Sequence, residues 1–393
     1  MADWEAKALG EVCTIKPPKA EARAKLGDGD EVSFAPMEDL GIGVKYLQPH
    51  RTRQLGEVSG SYTYFADGDV LLAKITPCFE NGKLGVARGL INGVGFGSSE
   101  YIVLRPAPTL DAEFLYYYLA RPTFLEEGAR IMTGAVGHKR VTKEFIESYP
   151  ISLPPLTVQR RIVAILDEAF ECIATAKANT EKNLQNAREL FDSHLGAVLE
   201  EGGDGWLEAP IVECFRVRSG DFLPAKSMAS GGDIPVYGGN GIAGTHDVSN
   251  LNGDQIVIGR VGAKCGNVRH VNGEIWLTDN AFHISKYLRP FAPAFLARVL
   301  NLKNLRQTAN QAAQPVISYT TIKDVLLSYP VDIEEQRGIA DRLDELQEHV
   351  EHVKSLYERK LIALDELKES LLHRAFTGAL TAKAAEELVA EVA

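Results

Sequence analysis

The stretch Gln159-Arg160-Arg161-Ile162-Val163-Ala164-Ile165-Leu166-Asp167-Glu168 decides the organisation of the chain, because an altered version of it occurs again near the end. The second version is Glu335-Gln336-Arg337-Gly338-Ile339-Ala340-Asp341-Arg342-Leu343-Asp344-Glu345. Gln159 precedes Gln336 by 177 residues, and the same spacing relates Leu166 to Leu343. We interpret the two stretches as the beginnings of one long helix that the chain uses twice.

Both stretches continue with a heptad pattern of apolar residues, which is typical of helices that pack against another helix. The pattern comprises Ile162, Leu166, Ala169, Ile173, Ala176, Ala187, Leu190 and Leu195, and then Ile339, Leu343, Leu346, Val350, Val353, Tyr357, Leu364, Leu367 and Leu371. A single helix of this kind would expose its apolar stripe to water, so we expect the two copies to pack on each other. Pro154-Pro155 stops the first helix from extending upstream.

A globular segment precedes each helix, and the two segments begin alike. Trp4 corresponds to Trp206, and Leu9 corresponds to Ile211. Alternating apolar runs and turn residues predict strands and short helices in both segments. The predicted strands are Tyr62–Phe65, Val70–Ile75, Leu84–Ala87, Tyr101–Leu104, Gln255–Gly259 and Ala281–Ser285, and the predicted helices are Ala112–Ala120 and Ala294–Leu300. Matching ends with divergent interiors indicate one fold that recognises two different things.

The predicted fold class is α+β. We expect two similar strand-rich globular domains, residues 1–150 and 203–330, separated by a pair of long coiled-coil-like helices. The first helix occupies residues 151–202, and the second helix with a C-terminal tail occupies residues 331–393.

Composition favours a soluble intracellular protein. A chain of 393 residues has room for two or three domains, and 45% hydrophobic with 24% charged residues is ordinary for a globular protein. No apolar run reaches membrane length, and the acidic start is unlike a signal peptide. Five scattered cysteines without a Cys-x-x-Cys pair favour reduced thiols in a cytoplasm.

The net charge of −11 is unevenly distributed. The two helical segments carry −3 and −7, whereas the globular segments carry −3 and +2. A nucleic-acid interface is therefore expected on the globular segments. Because neither is strongly basic, we expect another subunit to supply part of the phosphate contact.

Motifs of catalysis are missing from the sequence. It has no P-loop, no Gly-x-Ser-x-Gly, no His-Glu-x-x-His and no Asp/Asn-Pro-Pro-Tyr/Phe motif of amino-methyltransferases. The Gly93–Gly97 cluster lacks the context of a dinucleotide site and favours a bend in a sheet. His349 and His352 lie on a charged helix face and favour solvated surface over metal. We expect a binding protein with no catalytic, cofactor-binding or metal-binding residues.

Together, these features resemble the specificity subunit of type I restriction–modification systems, over nearly the whole chain. The similarity rests on Leu153-Pro154-Pro155-Leu156, Gln159-Arg160-x-Ile162, Leu166-Asp167, Gly238-Gly239-Asn240-Gly241, Gly259-Arg260-x-Gly262-x-x-x-Gly266-Asn267, Glu335-Gln336-Arg337, Leu343-Asp344 and Leu371–Gly378. One departure is Val331-Asp332-Ile333, which stands where the first copy has its Leu-Pro-Pro-Leu.

The resemblance implies two target recognition domains held apart by antiparallel helices, each recognising half of a split DNA sequence. It also implies partners: double-stranded DNA, two modification subunits that methylate adenine with S-adenosylmethionine, and restriction subunits that use ATP and magnesium. No cofactor is expected on this chain, and no membrane. The alternative is a non-catalytic coiled-coil scaffold whose globular ends bind protein.

Candidate DNA contacts are loop residues of the types that recognise guanine (Arg, Lys) or adenine (Asn, Gln). They are Lys74, Asn81, Lys83, His138, Lys139, Arg140, Asn240, Arg260, Lys264, Asn267, Arg269, Asn280, Gln311 and Gln314. For the basic ones, phosphate contact is favoured over base contact. The alternative for each is a solvated loop residue, and Asn81 and Asn240, beside glycines, are equally typical of turns. Tyr62 and Tyr64 could stack on a base, but core packing is favoured.

Overall fold

The computed structural model describes residues 4–135, 137–200, 205–228, 232–310 and 314–380. These residues form two compact units. The first contains the chain up to Glu181 and again from Glu358, and the second contains Lys182–Tyr357.

The first unit combines short strands with helices of very different length. Its strands are β1 Glu5–Ala8, β2 Cys13–Ile15, β3 Glu31–Ala35, β4 Arg51–Gln54, β5 Thr63–Ala66, β6 Val70–Ala73, β7 Leu84–Val86, β8 Val94–Gly97, β9 Tyr101–Pro106 and β10 Pro150–Leu153. Its helices are α1 Leu9–Val12, α2 Ala20–Lys25, α3 Leu55–Val58, α4 Ala112–Leu119, α5 Pro122–Ile131, α6 Lys143–Ser148 and the start of α7 Leu156–Glu200, with 3₁₀ turns at Met37–Asp39 and Ile91–Gly93.

The second unit follows the same plan. Its strands are β11 Leu207–Pro210, β12 Phe215–Ser219, β13 Ile234–Gly238, β14 Gly241–His246, β15 Asp254–Gly259, β16 Val268–Asn272, β17 Trp276–Leu277, β18 Ala281–Tyr287 and β19 Leu326–Tyr329. Its helices are α8 Ile211–Cys214, α9 Pro293–Leu302, α10 Tyr319–Ile322 and the start of α11 Ile333–Phe376, with 3₁₀ turns at Ala225–Ser227 and Leu305–Thr308. None of the helices in the described part of the chain combines the length and apolarity that crossing a membrane requires.

Each unit contains small sheets of two to four strands. In the first unit, the orders are β2-β9-β6-β7 and β4-β3-β8-β5, and in the second they are β12-β18-β15-β16 and β14-β13-β17. A two-stranded antiparallel sheet closes each unit, β1 with β10 and β11 with β19. The first strand of each unit therefore pairs with the strand that leads into the long helix.

The glycine cluster ending at Gly97 is strand β8 in the interior of a sheet, and not the bend that the sequence favoured. A Cβ on Gly95 would lie 2.2 Å from the Phe65 ring, and one on Gly97 would lie 2.2 Å from the carbonyl oxygen of Ala35. Only glycine fits at these positions. The cluster therefore reflects close packing of the sheet.

A buried glutamine joins the first globular domain to its helix. The Gln159 side chain is fully buried. Its Nε2 donates to the carbonyl oxygens of Thr109 (2.9 Å) and Pro154 (2.8 Å), and its Oε1 accepts from the backbone N–H of Asp111 (2.8 Å). Asp111 is the N-cap of α4. One amide therefore connects α4, the chain entering α7, and α7 itself.

Gln336 makes the same set of contacts in the second unit. It is fully buried, and its Oε1 accepts from the N–H of Ala292, the N-cap of α9, at 2.8 Å. Its Nε2 donates to the carbonyl oxygens of Pro330 (2.9 Å) and Pro290 (3.4 Å). Because a buried amide must find partners for both of its ends, the repeated glutamine fixes the same joint twice.

Asp167 and its counterpart Asp344 add an ionic contact to each joint between a globular domain and its long helix. The Lys45 ammonium lies 2.7 Å from Oδ1 of Asp167 and 2.7 Å from Oε2 of Glu113. Burial lowers the pKa of Lys45, but its hydrogen bonds to these two carboxylates give a net rise. In the second unit Asp344, the counterpart of Asp167, pairs with Arg298 of α9.

The two long helices pack on each other in the first unit. Lys177 of α7 forms an ion pair with Asp365 of α11, and the Lys368 ammonium lies 5.1 Å from the ring centroid of Phe170. The α7 residue with the lower number, Phe170, contacts the α11 residue with the higher number, Lys368, so these helical segments run antiparallel. The apolar stripe is buried near the globular domains, but a continuous seam is contradicted at Leu190, whose surface is 69% exposed.

Replacing Gln159 with methionine should destabilise the first unit by about 2–5 kcal/mol, because buried groups at Thr109, Asp111 and Pro154 lose their partner. Denaturant titration with hydrogen exchange at the α4 amides would measure this loss unit by unit. The matched control is Gln185→Met on the same helix, where the exposed side chain bonds only to Glu189 (2.7 Å). Equal effects of the two substitutions would contradict the assigned role.

Candidate nucleic-acid interface

The loops of the second unit meet through direct backbone contact between glycines. Strands β13 and β14 are joined by the two-residue turn Gly239-Asn240. A Cβ on Gly239 would lie 2.1 Å from the carbonyl oxygen of Val261, and one on Gly259 would lie 2.2 Å from that of Gly239. Any larger residue would push these loops apart. The glycines therefore hold the turn against the loop that follows β15.

This contact brings predicted DNA-binding side chains together. Asn240 is exposed, and its Oδ1 accepts from the backbone N–H of Lys264 at 3.2 Å. The guanidinium of Arg269, on β16, donates to the carbonyl oxygen of Asn240 at 3.3 Å. The Lys264 side chain is exposed. An amide and two cations, separated by up to 29 residues in sequence, thus form one surface cluster.

Arg260 extends the cluster. Its guanidinium lies 5.4 Å from the Phe282 ring and donates to the carbonyl oxygen of Asp279 at 3.4 Å. Nε of Arg260 and Nη1 of Arg269 are buried without an acceptor among the described residues.

The remaining predicted residues of the second unit differ in position. Asn280 is exposed, and its backbone oxygen accepts from the Arg260 N–H at 2.9 Å, so it belongs to the cluster. Asn267 is half-buried and follows Lys264 in a turn. Gln314 is exposed beside Pro315, which accepts from the Gly262 N–H at 3.0 Å. Gln311 lies outside the described residues.

In the first unit, Lys74 and Arg140 meet at Glu100. Arg140 binds Glu100 through two bonds, Nε to Oε2 at 2.9 Å and Nη2 to Oε1 at 2.8 Å, and Lys74 donates to the carbonyl oxygen of Ser99 at 2.9 Å. The hydrogen bond from Arg140 lowers the pKa of Glu100. His138 and Lys139, beside Arg140, are exposed. Arg140 is therefore partly neutralised, whereas Lys139 is open to solvent.

Asn81 and Lys83 have local roles. The Asn81 N–H donates to the carbonyl oxygen of Pro77 at 3.0 Å, within a turn that Gly82 completes at φ +69°. The Lys83 ammonium donates to the carbonyl oxygen of Met37 at 2.9 Å. Asn81 lines a cavity of about 300 Å³ with Phe170 and other residues, away from the cavity that Lys74 and Arg140 line. Asn81 therefore lies in a turn, and its contact with DNA stays a prediction.

Sequence reasoning did not select three further cations that share the cavity of Lys74 and Arg140. They are Lys16, Lys19 and Lys143, and the cavity measures about 460 Å³. The first two flank Pro17-Pro18, a local signal for an extended, helix-free segment between lysines. Their closeness to Lys143 depends on the fold. The described residues contain no cluster of His, Cys, Asp and Glu that could hold a metal ion.

The family model for the type I restriction modification DNA specificity domain matches residues 1–186 and again residues 203–358. The EcoEI specificity subunit of Escherichia coli is 36% identical over 209 residues, which are 52% of this chain and 34% of that protein. The EcoAI specificity subunit, also of Escherichia coli, is 33% identical over 218 residues, 54% of this chain and 36% of that protein.

The chain thus spans about a third of the length of these curated relatives. Among solved structures, a chain from work on complex assembly and conformational transition of the type I R-M system matches with a TM-score of 0.77. That match is 19% identical and covers 97% of this chain and 99% of the other. At 19% sequence identity, the similarity between the two chains shows a shared fold and no more.

Gly239→Ala should loosen the loop cluster, because its Cβ would collide with the Val261 carbonyl. The expected result is faster hydrogen exchange at the Gly266 amide, which donates to the carbonyl oxygen of Gly259 at 2.7 Å. Gly338→Ala is the control, since a Cβ there meets nothing within 4 Å. Unchanged protection at Gly266 in the Gly239 variant would contradict the packing argument.

Proposed function

The chain belongs to the type I restriction modification DNA specificity family, and we propose that it is the subunit that selects the DNA target of such a system. Specificity subunits are the non-catalytic, DNA-recognising components of these systems. In this proposal, residues 1–150 and 203–330 are the two recognition domains, and each recognises one half of a bipartite sequence. Residues 151–202 and 331–393 set the distance between the halves.

The observation that carries the proposal is a repeated joint combined with different loops. Gln159 and Gln336 make matching contacts, each with the N-cap of a helix and with the carbonyl of a proline shortly before the long helix begins. The loops differ: the second unit has the glycine-packed cluster around Asn240, and the first has the Lys139-Arg140 tip. Two domains with the same joint but different loops suit a protein that docks on two different half-sites in the same geometry.

The cluster of the second unit has the chemistry of base and phosphate recognition. Arginine and lysine side chains pair with guanine or phosphate, and asparagine pairs with adenine. Arg260, Lys264, Arg269, Asn240 and Asn280 provide these groups on one surface. We assign this surface to the second half-site, and the region of Lys74, His138, Lys139 and Arg140 to the first.

The helices would serve as docking surfaces for two methyltransferase subunits that carry S-adenosylmethionine. Leu190 and Leu356 are 69% and 45% exposed, although they are large apolar residues on long helices. A protein partner on the helices would remove these apolar side chains from water, which is favourable. The net negative charge of the helical segments also argues against direct contact with DNA there. Restriction subunits using ATP and magnesium would complete a nuclease.

The proposal is tested by methylation mapping. We expect the chain, combined with cognate methyltransferase subunits and S-adenosylmethionine, to direct adenine methylation to a single bipartite motif. The unspecified spacer should have one length, because in this proposal the long helices fix the separation of the two recognition domains. Sequencing that detects methyladenine measures both. A complex that methylates DNA without sequence preference, or not at all, would overturn the proposal.

Lys264→Ala should weaken binding at the second half-site by about 1–3 kcal/mol if the lysine contacts a base, and less if it contacts a phosphate. The exposed side chain predicts little change in stability. Lys286→Ala is the matched control, an exposed lysine of the same unit on β18. Footprinting of each half-site separately would measure the effect. If both variants protected the second half-site equally, Lys264 would not be part of the interface.

A further inference from the structure

A groove on the first unit extends from Lys74 and Arg140 to further cations and aromatic side chains that the loop assignments lack. Its volume is about 460 Å³. The charged and aromatic side chains that line it are Lys16, Lys19, Lys74, Arg140, Lys143, Tyr62, Tyr64 and Tyr101. The cations come from distant parts of the sequence, so the fold itself assembles the groove.

Two of the five cations are not neutralised. Arg140 pairs with Glu100, Lys74 lies 3.9 Å from the same carboxylate, and Lys143 pairs with Glu147 at 2.8 Å. Lys16 and Lys19 have no carboxylate at ion-pair distance within the described part of the chain. In a chain with 53 acidic and 42 basic residues, such a pair is a local concentration of positive charge.

Lys19 shows the effect of that concentration. Burial, followed by repulsion from Lys16 and Arg23, lowers the pKa of Lys19. Its ammonium donates to the carbonyl oxygens of Ser59 (3.2 Å) and Gly60 (2.8 Å). Those two bonds use two of its three protons and fix its position at the groove. The third proton and the charge remain for a ligand.

The backbone at Lys16 is held in a conformation that non-glycine residues rarely adopt. Its φ is +57°, between β2 and Pro17-Pro18, and its N–H donates to the carbonyl oxygen of Val103 at 2.7 Å. A non-glycine residue held in the left-handed region is strained, and such residues cluster at functional sites. The fold thus maintains an unfavourable backbone at an unpaired cation.

Tyr62 supplies exposed aromatic surface in the groove. It is 37% exposed, and its ring contacts Phe34 edge to face at 4.8 Å. Tyr64 lies buried beneath, where Arg105 binds the fully buried Asp69 through Nε (2.7 Å) and Nη2 (2.8 Å). The Arg105 guanidinium lies 5.7 Å from the Tyr64 ring. The floor is therefore rigid, while Tyr62 remains available to a ligand.

We propose that this groove binds the sugar–phosphate backbone of one DNA strand, with Lys16 and Lys19 on phosphates and Tyr62 against a sugar or base. This inference rests on the proposed function and adds residues that the loop assignments lack. Unpaired lysines beside an exposed aromatic ring match the mixed charge and stacking surface that nucleic-acid strands present. The groove would position the first domain on DNA, while the loops around Lys139 distinguish bases.

The test measures how binding of the full complex to its target depends on salt. The variant Lys16→Asn with Lys19→Gln removes both charges, and asparagine tolerates the left-handed backbone at position 16. Loss of two phosphate contacts should reduce the slope of log affinity against log salt by about 2. The control is Lys25→Gln with Arg130→Gln, two exposed cations that do not line the groove. It should leave the slope near that of the wild type.

Tyr62→Leu distinguishes the contribution of the aromatic ring from that of Lys16 and Lys19. It should weaken binding about tenfold or more through lost stacking, while the salt slope stays unchanged. Inorganic phosphate, at matched ionic strength, should compete no better than chloride. If it competes strongly and selectively with the wild type, the groove is a free-anion site and the proposal is wrong.

Three results separate failure of this inference from failure of the proposed function. If the wild-type complex methylates one bipartite motif but the double variant keeps the slope of its control, the groove assignment is overturned and the function stands. If the double variant binds DNA normally but loses a methyltransferase subunit, the groove is a protein contact and the assignment also fails. A wild-type complex without sequence preference overturns both.

Discussion

The structure depends on a neutral side chain that is buried where three segments meet. Gln159 has one acceptor oxygen and two donor hydrogens, and its three hydrogen bonds join the N-cap of α4, the chain at Pro154 and helix α7. A buried amide with an unmatched end would cost about 1–3 kcal/mol, so the segments can meet only in arrangements that satisfy both ends. Gln336 imposes the same condition on α9 and α11. The domain-to-helix geometry is thus specified twice by one residue type.

Because Gln159 and Gln336 fix the joints, the surfaces proposed to recognise DNA can differ between the two units. The joint and the closing strands, β1 with β10 and β11 with β19, are equivalent in the two units. The second unit builds its surface from glycine contacts that place Asn240 beside Lys264, whereas the first gathers lysines and tyrosines in a groove. Since neither globular segment is strongly basic overall, each surface must concentrate the little positive charge that it has. Its DNA affinity would therefore depend on partner subunits as well.

The sequence predicted the repeat, the long helices and each of the six strands it proposed, because these features depend on local periodicity and on spacing along the chain. It could identify Gln159 as a recurring residue but not its role, since its partners are backbone groups, the Asp111 amide 48 residues away among them. Ion pairs between distant residues could not be predicted either. Nothing in the sequence indicates that Arg140 pairs with Glu100, yet the structure shows this ion pair. The glycine cluster around Gly95 was misinterpreted because a strand that needs room for a neighbouring ring has the same composition as a bend. Lys16 and Lys19 acquire meaning only when the fold places them beside Tyr62.

The neutrality of the glutamine joint separates two responses to solution conditions. Phosphate contacts weaken steeply as ionic strength rises, because bound counterions are no longer released at a gain. Hydrogen bonds of an uncharged, buried amide carry no such dependence, and no proton is gained or lost by the amide across the physiological range. In the proposed function, moderate salt should therefore release DNA while the hydrogen bonds of Gln159 and Gln336 stay intact, so that the same molecule can dissociate and search again without losing the geometry that these two residues fix.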